Sequence, residues 1–539
     1  MNGLIFDTKS AAPQFNPTRA DVACIVGLVR RLDGAALSPG LSTWLQSLGY
    51  HGSQIAKITN VPVPLETYSG FTSLFDSGGS GTGFGTDYVA AAVRSFFAQG
   101  GRKCYLVRVG DPVAPPGKTP EQTPDEPSDN PAKLKALLPS DTYAPGDSQS
   151  WTGVGSLSAL EDVSFLVTPD LPALCASQPV GAVGQVPSVF TGPEAFVECS
   201  QADLTPQQSL TFASPAPHLT PADYGTWAAS VAKILNFLAG GSLRHQPHLR
   251  EIQFVAAFPL PQDVDVATAA ENPTSAELAQ DVHDVISAQM HETAPPPDMV
   301  TPGATISSSF LQLAYPWLKT TGSGVLLESL EPPDGNLVGL LARNVLTRGA
   351  FTSATKITPA EIYDLWPALP TQDTSRSTKP LVWGDDSSKP LVERLSLFGF
   401  SPGGLRLLSD VTAYPGETYR SAPVNRLVSV ICRAARNMGE TIIFQSNGPA
   451  LWGRVQRFLQ NLMTRLWSLD ALDGATATDA FSVRCDQSTM TQNAIDNGRL
   501  LAEVTFTAAA TLETIRVHLA MEAGGTSAQE IAANLAEVS

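Results

Sequence analysis

Strand and helix patterns alternate near the start of the chain, and this order constrains the fold most. Residues Ala20 to Val29 form an apolar run that predicts a buried strand. An apolar helical pattern covers Tyr88 to Ala98 and stops at Gly100 and Gly101, and Lys103 to Val109 predicts the next strand. Because a helix between two strands is typical of parallel pairing, we predict an α/β fold with parallel strands.

The chain has 539 residues, which is enough for several domains, and proline-rich polar stretches separate its globular segments. We therefore predict a multidomain α/β protein. The predicted segments are 1–20 (an arm), 21–110 (α/β), 111–150 (a Pro-rich linker), 151–375 (a middle domain), 376–498 (a C-terminal α/β domain) and 499–539 (a second arm).

Several short elements are predicted from local patterns alone. Strands are expected at Ile55 to Val63, Val325 to Leu327 and Thr441 to Gln445. The last residues, Thr526 to Val538, contain Ser527 three positions before Glu530, a capping-box pattern that predicts an extra terminal helix.

Charge and cysteine usage exclude some classes of protein. Asp and Glu number 51 against 34 Lys and Arg, so the net charge of −17 opposes binding to nucleic acid phosphates. The six cysteines are widely spaced, which favours reduced thiols over a disulfide framework. We find no signal-peptide pattern and no apolar run long enough for a membrane span, so we expect no membrane insertion.

No residue pattern predicts a catalytic, cofactor or metal site. The glycine-rich stretch Gly78 to Gly85 lacks the spacing of a dinucleotide-binding loop, so we expect an ordinary loop. His245 and His248 flank Pro247 without a nearby ligand set, which favours a surface loop. We expect no enzyme activity, no cofactor and no metal, with a hydrolase-like domain as an alternative.

The segment Phe481 to Leu500 is polar and tightly patterned. Alternating residues from Phe481 to Cys485 predict a strand, a turn-rich segment follows, and a second alternating run extends from Leu500 to Phe506. The segment resembles the C-terminal signature of contractile tail sheath proteins, VRCDxxTMTQxDIDNGRL, with Ala494 where the family usually has an acid.

Five further blocks resemble the same family and follow in its order. They are Ala90 to Val109, Glu161 to Leu171, Ser308 to Leu318, Pro332 to Gly349 and Asn425 to Leu466. With the signature, these blocks cover about residues 90 to 500, and the family's usual N-terminal strand is missing. The chain is thus similar to tail sheath proteins over most of its length.

The resemblance implies a structural subunit of a phage-tail-like contractile injection system. Such subunits form six-fold rings that stack helically around an inner tube and contract to drive the tube through a target membrane. The implied partners are other copies, the inner tube protein, and the baseplate and cap proteins. The implied inner domain combines 21–110 with 376–498, the middle domain faces outward, and assembly takes place in the bacterial cytoplasm. A baseplate- or cap-proximal sheath paralogue is an alternative, favoured by the unusual N-terminus and the predicted terminal helix.

Two surfaces are candidates for assembly contacts. On the predicted helix Leu451 to Leu469, a polar stripe beside the apolar face is either a solvated surface or, as the resemblance implies, a contact with the inner tube. The stripe consists of Arg454, Arg457, Asn461 and Arg465. The second candidate lies at the chain ends. The alternating segments Leu500 to Phe506 and Leu512 to Leu519 are either a terminal hairpin or, as the resemblance implies, an arm that adds a strand to a neighbouring subunit and interlocks with an N-terminal arm. The candidate residues are Leu4, Ile5 and Phe6 at one end and Ile515, Val517 and Leu519 at the other.

Overall fold

The structure is a computed structural model in which fifteen segments of the chain are described. These are residues 19–76, 87–112, 129–177, 184–186, 211–213, 216–240, 246–261, 282–286, 306–375, 390–442, 445–490, 492–496, 499–509, 514–522 and 525–532.

Strands and helices alternate along most of these ranges. The described strands are β1 (Ala23–Leu28), β2 (Pro62–Leu65), β3 (Cys104–Gly110), β4 (Phe165–Val167), β5 (Gly184–Val186), β6 (Thr211–Ala213), β7 (His218–Leu219), β8 (Gln253–Ala257), β9 (Leu260–Pro261), β10 (Leu311–Tyr315), β11 (Trp317–Thr320), β12 (Ile362–Trp366), β13 (Ser396–Ser401), β14 (Gly404–Leu407), β15 (Phe481–Arg484), β16 (Leu500–Thr507), β17 (Thr514–Glu522) and β18 (Gly525–Ala532). The described helices are α1 (Pro39–Ser47), α2 (Gly52–Lys57), α3 (Tyr68–Thr72), α4 (Tyr88–Ala98), α5 (Asn130–Leu137), α6 (Leu171–Cys175), α7 (Pro221–Gly240), α8 (residues 282–286), α9 (Pro333–Arg348), α10 (Thr371–Thr374), α11 (Glu417–Arg420), α12 (Ala422–Ile442), α13 (Pro449–Ser468), α14 (Ala477–Ala480) and α15 (Gln492–Asp496).

An eight-stranded sheet forms the centre of the larger unit, in the order β14-β13-β10-β8-β4-β1-β3-β2. The six inner strands are parallel, and the edge strands β2 and β14 are antiparallel to their neighbours. The predicted β-α-β pattern is present as β1, α4 and β3, with β1 and β3 parallel. Strand β2, which lies between β1 and α4 in the chain, pairs antiparallel with β3. The predicted α/β class is therefore confirmed.

Both faces of this sheet are covered, as strand β1 illustrates. Cys24 and Val26 share a core with Trp227 of α7. Ala23 and Ile25 belong to a second core that includes α4 and α9. Because side chains alternate between the two faces of a strand, a strand buried on both faces carries apolar residues throughout.

Helices α4 and α9 approach each other closely on the second face. A Cβ atom on Gly335 would lie 2.5 Å from Ala92 Cα, and one on Gly339 would lie 2.7 Å from the carbonyl oxygen of Phe96. Across the same contact, Gln99 Nε2 donates to Asn336 Oδ1 at 2.7 Å. Glycine at these two positions of α9 is therefore required by backbone proximity.

The C-terminal unit contains a four-stranded antiparallel sheet in the order β15-β16-β17-β18. Helices α12 and α13 share one core with this sheet, to which Leu427, Val455 and Val517 belong. We call the eight-stranded sheet with its helices the body, and the elements from α12 to β18 the C-terminal unit. Helix α12 belongs to both, because its polar face contacts the body.

The predicted terminal helix at Thr526 to Val538 is wrong where the structure describes it. Gly525–Ala532 forms β18, which pairs with β17 in eight consecutive positions. A helix of this length is marginal on its own, whereas β17 offers a row of main-chain donors and acceptors to a neighbouring strand. Tertiary pairing thus overrides the capping-box pattern.

Three other short strand predictions are also wrong or incomplete. Residues Ser323–Val325 and Leu327–Ser329 form 3₁₀ turns, and α12 continues to Ile442. Between residues 55 and 63, α2 extends to Lys57 and β2 begins only at Pro62. Such short apolar runs are compatible both with the two-residue period of a strand and with the 3.6-residue period of a helix.

The sheets cross the predicted segment boundaries. The body sheet takes β1 to β3 from 21–110, three strands from 151–375, and β13 and β14 from 376–498. The pairing of β15 with β16 also crosses the predicted boundary at residue 498. The observed units therefore differ from the predicted grouping, because long-range strand pairing leaves no local sequence signal.

Candidate assembly surfaces

Helix α13 presents an apolar face to the core of the C-terminal unit. It begins at Pro449, whose fixed φ suits the first turn of a helix. Its buried side chains, spaced three or four residues apart, are Leu451, Val455, Leu459, Met463 and Leu466. The apolar face predicted for this helix is therefore confirmed, with Phe458 and Leu462 partly buried beside it.

The opposite face of α13 is basic and open to solvent. All four residues of the predicted stripe, Arg454, Arg457, Asn461 and Arg465, are exposed. Arg454 Nη1 donates to Gln445 Oε1 at 2.6 Å, and within the described part of the chain none of these arginines forms an ion pair. The helix contains no Asp or Glu. In a chain with a net charge of −17, such a surface favours an acidic partner.

The candidate linking residues at the C-terminus lie within the chain's own sheet. Ile515, Val517 and Leu519 are completely buried in the core of the C-terminal unit. Strand β17 pairs with β16 on one side and β18 on the other. Strands β16 and β17 thus form a local hairpin, which was the alternative to an arm that reaches a neighbouring subunit. Leu4, Ile5 and Phe6 lie outside the described residues.

The signature segment forms the connection between β15 and β16. Asp486 Oδ1 accepts a hydrogen bond from the Ser488 amide at 2.7 Å, and Thr489 Oγ1 donates to the carbonyl oxygen of Leu501 at 3.0 Å. Hydrogen bonds from Ser488 lower the pKa of Asp486. Ala494, the position that departs from the family pattern, is buried. The described part of the segment therefore connects two strands that pair with each other.

Two arginines of α12 join the C-terminal unit to the body. Arg433 Nε and Arg436 Nε donate to the two carboxylate oxygens of Glu251, at 2.9 and 2.8 Å. The three side chains, which we call the Glu251 clamp, are at most 4% exposed. Arg433 also donates to the carbonyl oxygen of Val163 at 2.6 Å. The clamp thus ties α12 to the amino-terminal ends of β4 and β8.

A second buried ion pair lies nearer the start of α12. Arg426 donates to both oxygens of Asp410, at 3.0 and 2.7 Å. Burial acts to raise the pKa of Asp410, but the Arg426 charge and its hydrogen bonds keep that pKa below its ordinary value. Neither cluster was predicted from the sequence. The detectable signal was the placement of three arginines at positions 426, 433 and 436, which is compatible with one helix face.

Among the buried carboxyl groups of the body that the structure describes, four have a raised pKa: Asp87, Asp170, Glu331 and Asp334. Asp170 Oδ2 accepts from the Leu28 amide at 2.6 Å, at the end of β1. Burial raises the pKa of Asp170 well above its ordinary value, and the neighbouring Asp87 and Asp334 raise it further. Burial also raises the pKa values of Asp87, Glu331 and Asp334 to about 7 each. Within the described ranges, no group of three or more His, Cys, Asp or Glu residues is arranged to hold a metal ion.

The histidine pair considered from the sequence is only partly described. His248 lies in the 3₁₀ turn Pro247–Glu251 and is buried, with Nε2 3.3 Å from the carbonyl oxygen of Leu157. The predicted surface loop is therefore wrong for His248, because Pro247 starts a turn that packs against the body. Burial and the nearby Arg436 lower the pKa of His248. His245 and the whole stretch Gly78 to Gly85 lie outside the described residues.

The described cysteines are thiols. Cys24, Cys104, Cys175 and Cys485 are buried, and Cys432 is half-buried. Among the helices that the structure describes, none has both the length and the apolar character needed to span a bilayer.

The whole architecture is similar to that of chains in contractile particles. One is found in the cryo-EM structure of the anti-feeding prophage (AFP) baseplate, 6-fold symmetrised, with 16% identity, 94% of each chain covered and a TM-score of 0.52. Another is in the AFP baseplate in its contracted state, with 14% identity, 94% of this chain and 93% of that chain covered, and a TM-score of 0.50. The AFP helical sheath in its contracted state gives 16% identity, 94% and 96% coverage, and a TM-score of 0.49.

No protein-family model matches the chain, and no curated protein sequence matches it. At these identities the similarity concerns the fold. The chain therefore shares its fold with chains of the AFP baseplate, over nearly the full length of both chains.

Proposed function

We propose that this chain is a structural subunit of the contractile sheath of a phage-tail-like injection system. The observation that carries the proposal is the shared fold with a chain of the AFP baseplate, which extends over 94% of both chains. The six ordered sequence blocks of the sheath family, including the signature at Phe481 to Leu500, support it independently. The proposed role is structural and non-enzymatic, and the mechanism requires no cofactor.

The proposed assembly is a helical stack of six-fold rings around an inner tube, in contact with baseplate and cap proteins. The tube, the sheath and their partners would assemble in the bacterial cytoplasm and remain together in a phage tail or an injection particle. The subunit would not insert into a membrane or bind nucleic acid. Contraction would release conformational energy stored in the extended lattice.

The basic face of α13 is the proposed contact with the inner tube. Arg454, Arg457 and Arg465 are exposed on a helix without acidic residues. Exposed ion pairs are individually weak, so several of them can hold a tube and still separate when the lattice contracts. This supports a reversible contact of the three arginines with acidic tube groups.

The terminal segments are the proposed links between subunits. The hairpin β17–β18 is the last described part of the chain, and its main-chain groups pair with a sheet edge. A hairpin of this kind can pair with another copy's sheet as it does with its own, which makes exchange between copies a low-cost route to assembly. The stretch Leu4 to Phe6 is the proposed N-terminal counterpart.

A baseplate-proximal sheath paralogue is the second candidate. Two observations bear on it in opposite directions. Two structural matches with TM-scores of at least 0.50 come from AFP baseplates, whereas the terminal helix that favoured this interpretation is replaced by β18. The position of the chain along a particle separates the two candidates.

The decisive experiment is electron microscopy of the native particle with this chain labelled. A main sheath subunit would place the label along the whole particle length, in repeats of six. A label confined to one end would indicate the paralogue. Particles that contain no label, while the chain is expressed, would contradict the proposed function.

A further inference from the structure

We propose that the hairpin β17–β18 is a strap over the joint between the two units, so that hairpin seating and the Glu251 clamp stabilise each other. The inference deepens the proposed function and rests on it in one respect, because the same hairpin is the proposed link between subunits.

The position of β18 provides the first observation. It contacts both α12 and the 3₁₀ turn Pro247–Glu251. These two elements carry the three side chains of the Glu251 clamp. The strap therefore lies against the elements whose contact fixes the C-terminal unit on the body.

The shared core provides the second observation. Ile515, Val517 and Leu519 of β17 are buried in the same core as Leu427 and Ile431 of α12. Withdrawal of the hairpin would uncover the apolar face of α12 at the same time as it opened the sheet. One face of α12 thus holds the hairpin, and another face holds the clamp.

The chemistry of the clamp makes it sensitive to this event. A carboxylate between two guanidinium groups is stable in a buried position only while the charges remain paired. Water that enters after the hairpin leaves would weaken the attraction, because the effective dielectric constant rises. Conversely, loss of the clamp would let α12 move beneath the hairpin, and thermodynamic linkage requires the two effects to be equal.

The consequence for an assembly is coupling between neighbours. If a hairpin leaves for another copy's sheet, the joint of its own subunit loosens until an incoming hairpin replaces it. Thr507 and Thr514 are paired, and the seven residue steps that join them span at most about 25 Å when fully extended. The exchange partner must therefore be an immediate neighbour, and a change of orientation in one subunit would pass to the next.

Hydrogen–deuterium exchange of the full-length free chain tests the coupling. We expect Glu251→Gln to accelerate amide exchange in β17 and β18 about 5- to 150-fold relative to β15, the usual range of coupling between sites. The matched control is Asp410→Asn, which breaks the other buried ion pair of α12. An unchanged ratio of hairpin to β15 exchange in Glu251→Gln, or an equal change in Asp410→Asn, would overturn the inference.

A reciprocal measurement applies even where Glu251→Gln does not fold. Thr505 pairs with Arg516 of β17 and with Ser482 of β15. A disulfide between Thr505→Cys and Arg516→Cys ties down the hairpin, whereas one between Ser482→Cys and Thr505→Cys ties down β15. We expect only the first disulfide to slow exchange in Pro247–Glu251, and equal effects of the two would refute the strap.

Neither exchange measurement uses the particle. Failure of these measurements would therefore leave the proposed sheath role intact. Absence of the chain from the particle would contradict that role and leave the coupling within one chain unaffected.

Discussion

The contact between α4 and α9 and the joint between α12 and the body accommodate buried charge in different ways. At the first, Glu331 and Asp334 are buried with pKa values raised to about 7, so that these carboxyl groups tend towards the neutral form. At the second, Arg426 and Arg433 are paired with Asp410 and Glu251. Protonation therefore reduces the cost of burial at the first place, and ion pairing reduces it at the second.

This difference predicts how each region responds to solution conditions. A buried acid with a raised pKa contributes less to stability as the pH rises, because it must ionise in a buried position. A buried ion pair contributes less as the pH falls, because its carboxylate becomes protonated. A third case is α13, whose arginines avoid burial altogether. The three arrangements can be tested separately, in order of their expected effect on the free energy of unfolding.

The largest effect is expected where one member of a buried ion pair is removed. Asp410→Asn should lower the free energy of unfolding by about 3–5 kcal/mol at pH 7, because the Arg426 guanidinium loses its counter-charge. Urea denaturation with a probe in each unit measures this loss. Since the folded-state pKa of Asp410 is lowered, the stability that it contributes is present above its unfolded pKa near 3.8 and disappears as the pH falls below that value.

The matched control for this prediction is an exposed pair. Lys319 Nζ lies 3.1 Å from Asp364 Oδ2 at the surface, and Lys319→Gln should leave the unfolding curve nearly unchanged. Equal losses of the free energy of unfolding in Lys319→Gln and Asp410→Asn would show that burial does not explain the contribution of the α12 ion pair.

A smaller, pH-dependent effect is expected in the body. The pKa of Glu331 is raised to about 7 from 4.5, so its contribution to stability is complete below pH 4.5 and is lost as the pH rises to about 7. The loss is about 3 kcal/mol across this window. Glu331→Gln resembles the neutral acid and cannot ionise, so its stability should fall less between pH 5 and pH 8 than that of the unmodified chain.

Denaturant midpoints at several pH values measure this difference. Asp87, Asp170 and Asp334 remain in the variant, and burial raises their pKa values too, so part of the slope should persist. A slope identical to that of the unmodified chain would contradict the assignment of a protonated Glu331.

The smallest effect on stability is expected on α13. The double variant Arg454→Glu with Arg457→Glu should change the free energy of unfolding by less than about 0.5 kcal/mol, because both side chains are exposed. Under the proposed function it should nevertheless weaken assembly on the inner tube, which sedimentation and electron microscopy measure.

A control with the same change in charge is available elsewhere on the surface. Arg102 and Arg406 are exposed and lie outside α13, and reversal of both should leave assembly normal. Normal assembly of the α13 double variant would refute the proposed tube contact, and equal impairment by both double variants would indicate a general effect of net charge.

Elements with a strong internal period could be predicted from the sequence. Helix α13 has its apolar and basic faces where the spacing places them, and β15 and β16 lie at the two ends of the signature. The unbroken apolar run of β1 was sufficient to predict a buried strand there. In each case neighbouring residues carry the complete signal, because periods of two or 3.6 residues are local.

The candidate site was predictable only in part. The exposure of Arg454 and Arg465 follows from helical spacing, but the Glu251 clamp joins residues about 180 positions apart. Residues 525–532 show the same limitation, since their local pattern favours a helix and β17 provides the edge that makes them a strand. Contacts with residues that are distant in the chain determine such features, and a single sequence does not show which distant residues will be in contact.

The sequence by itself determined the α/β class, the two faces of α13 and the resemblance to sheath proteins, because each depends on residue order within a short window. Tertiary structure alone decided which segments share a sheet, that Ile515, Val517 and Leu519 fill the chain's own core, and that two arginines meet one buried carboxylate. The physical reason is that burial and strand pairing gain their free energy from contacts between distant segments, which exist only after the chain has folded.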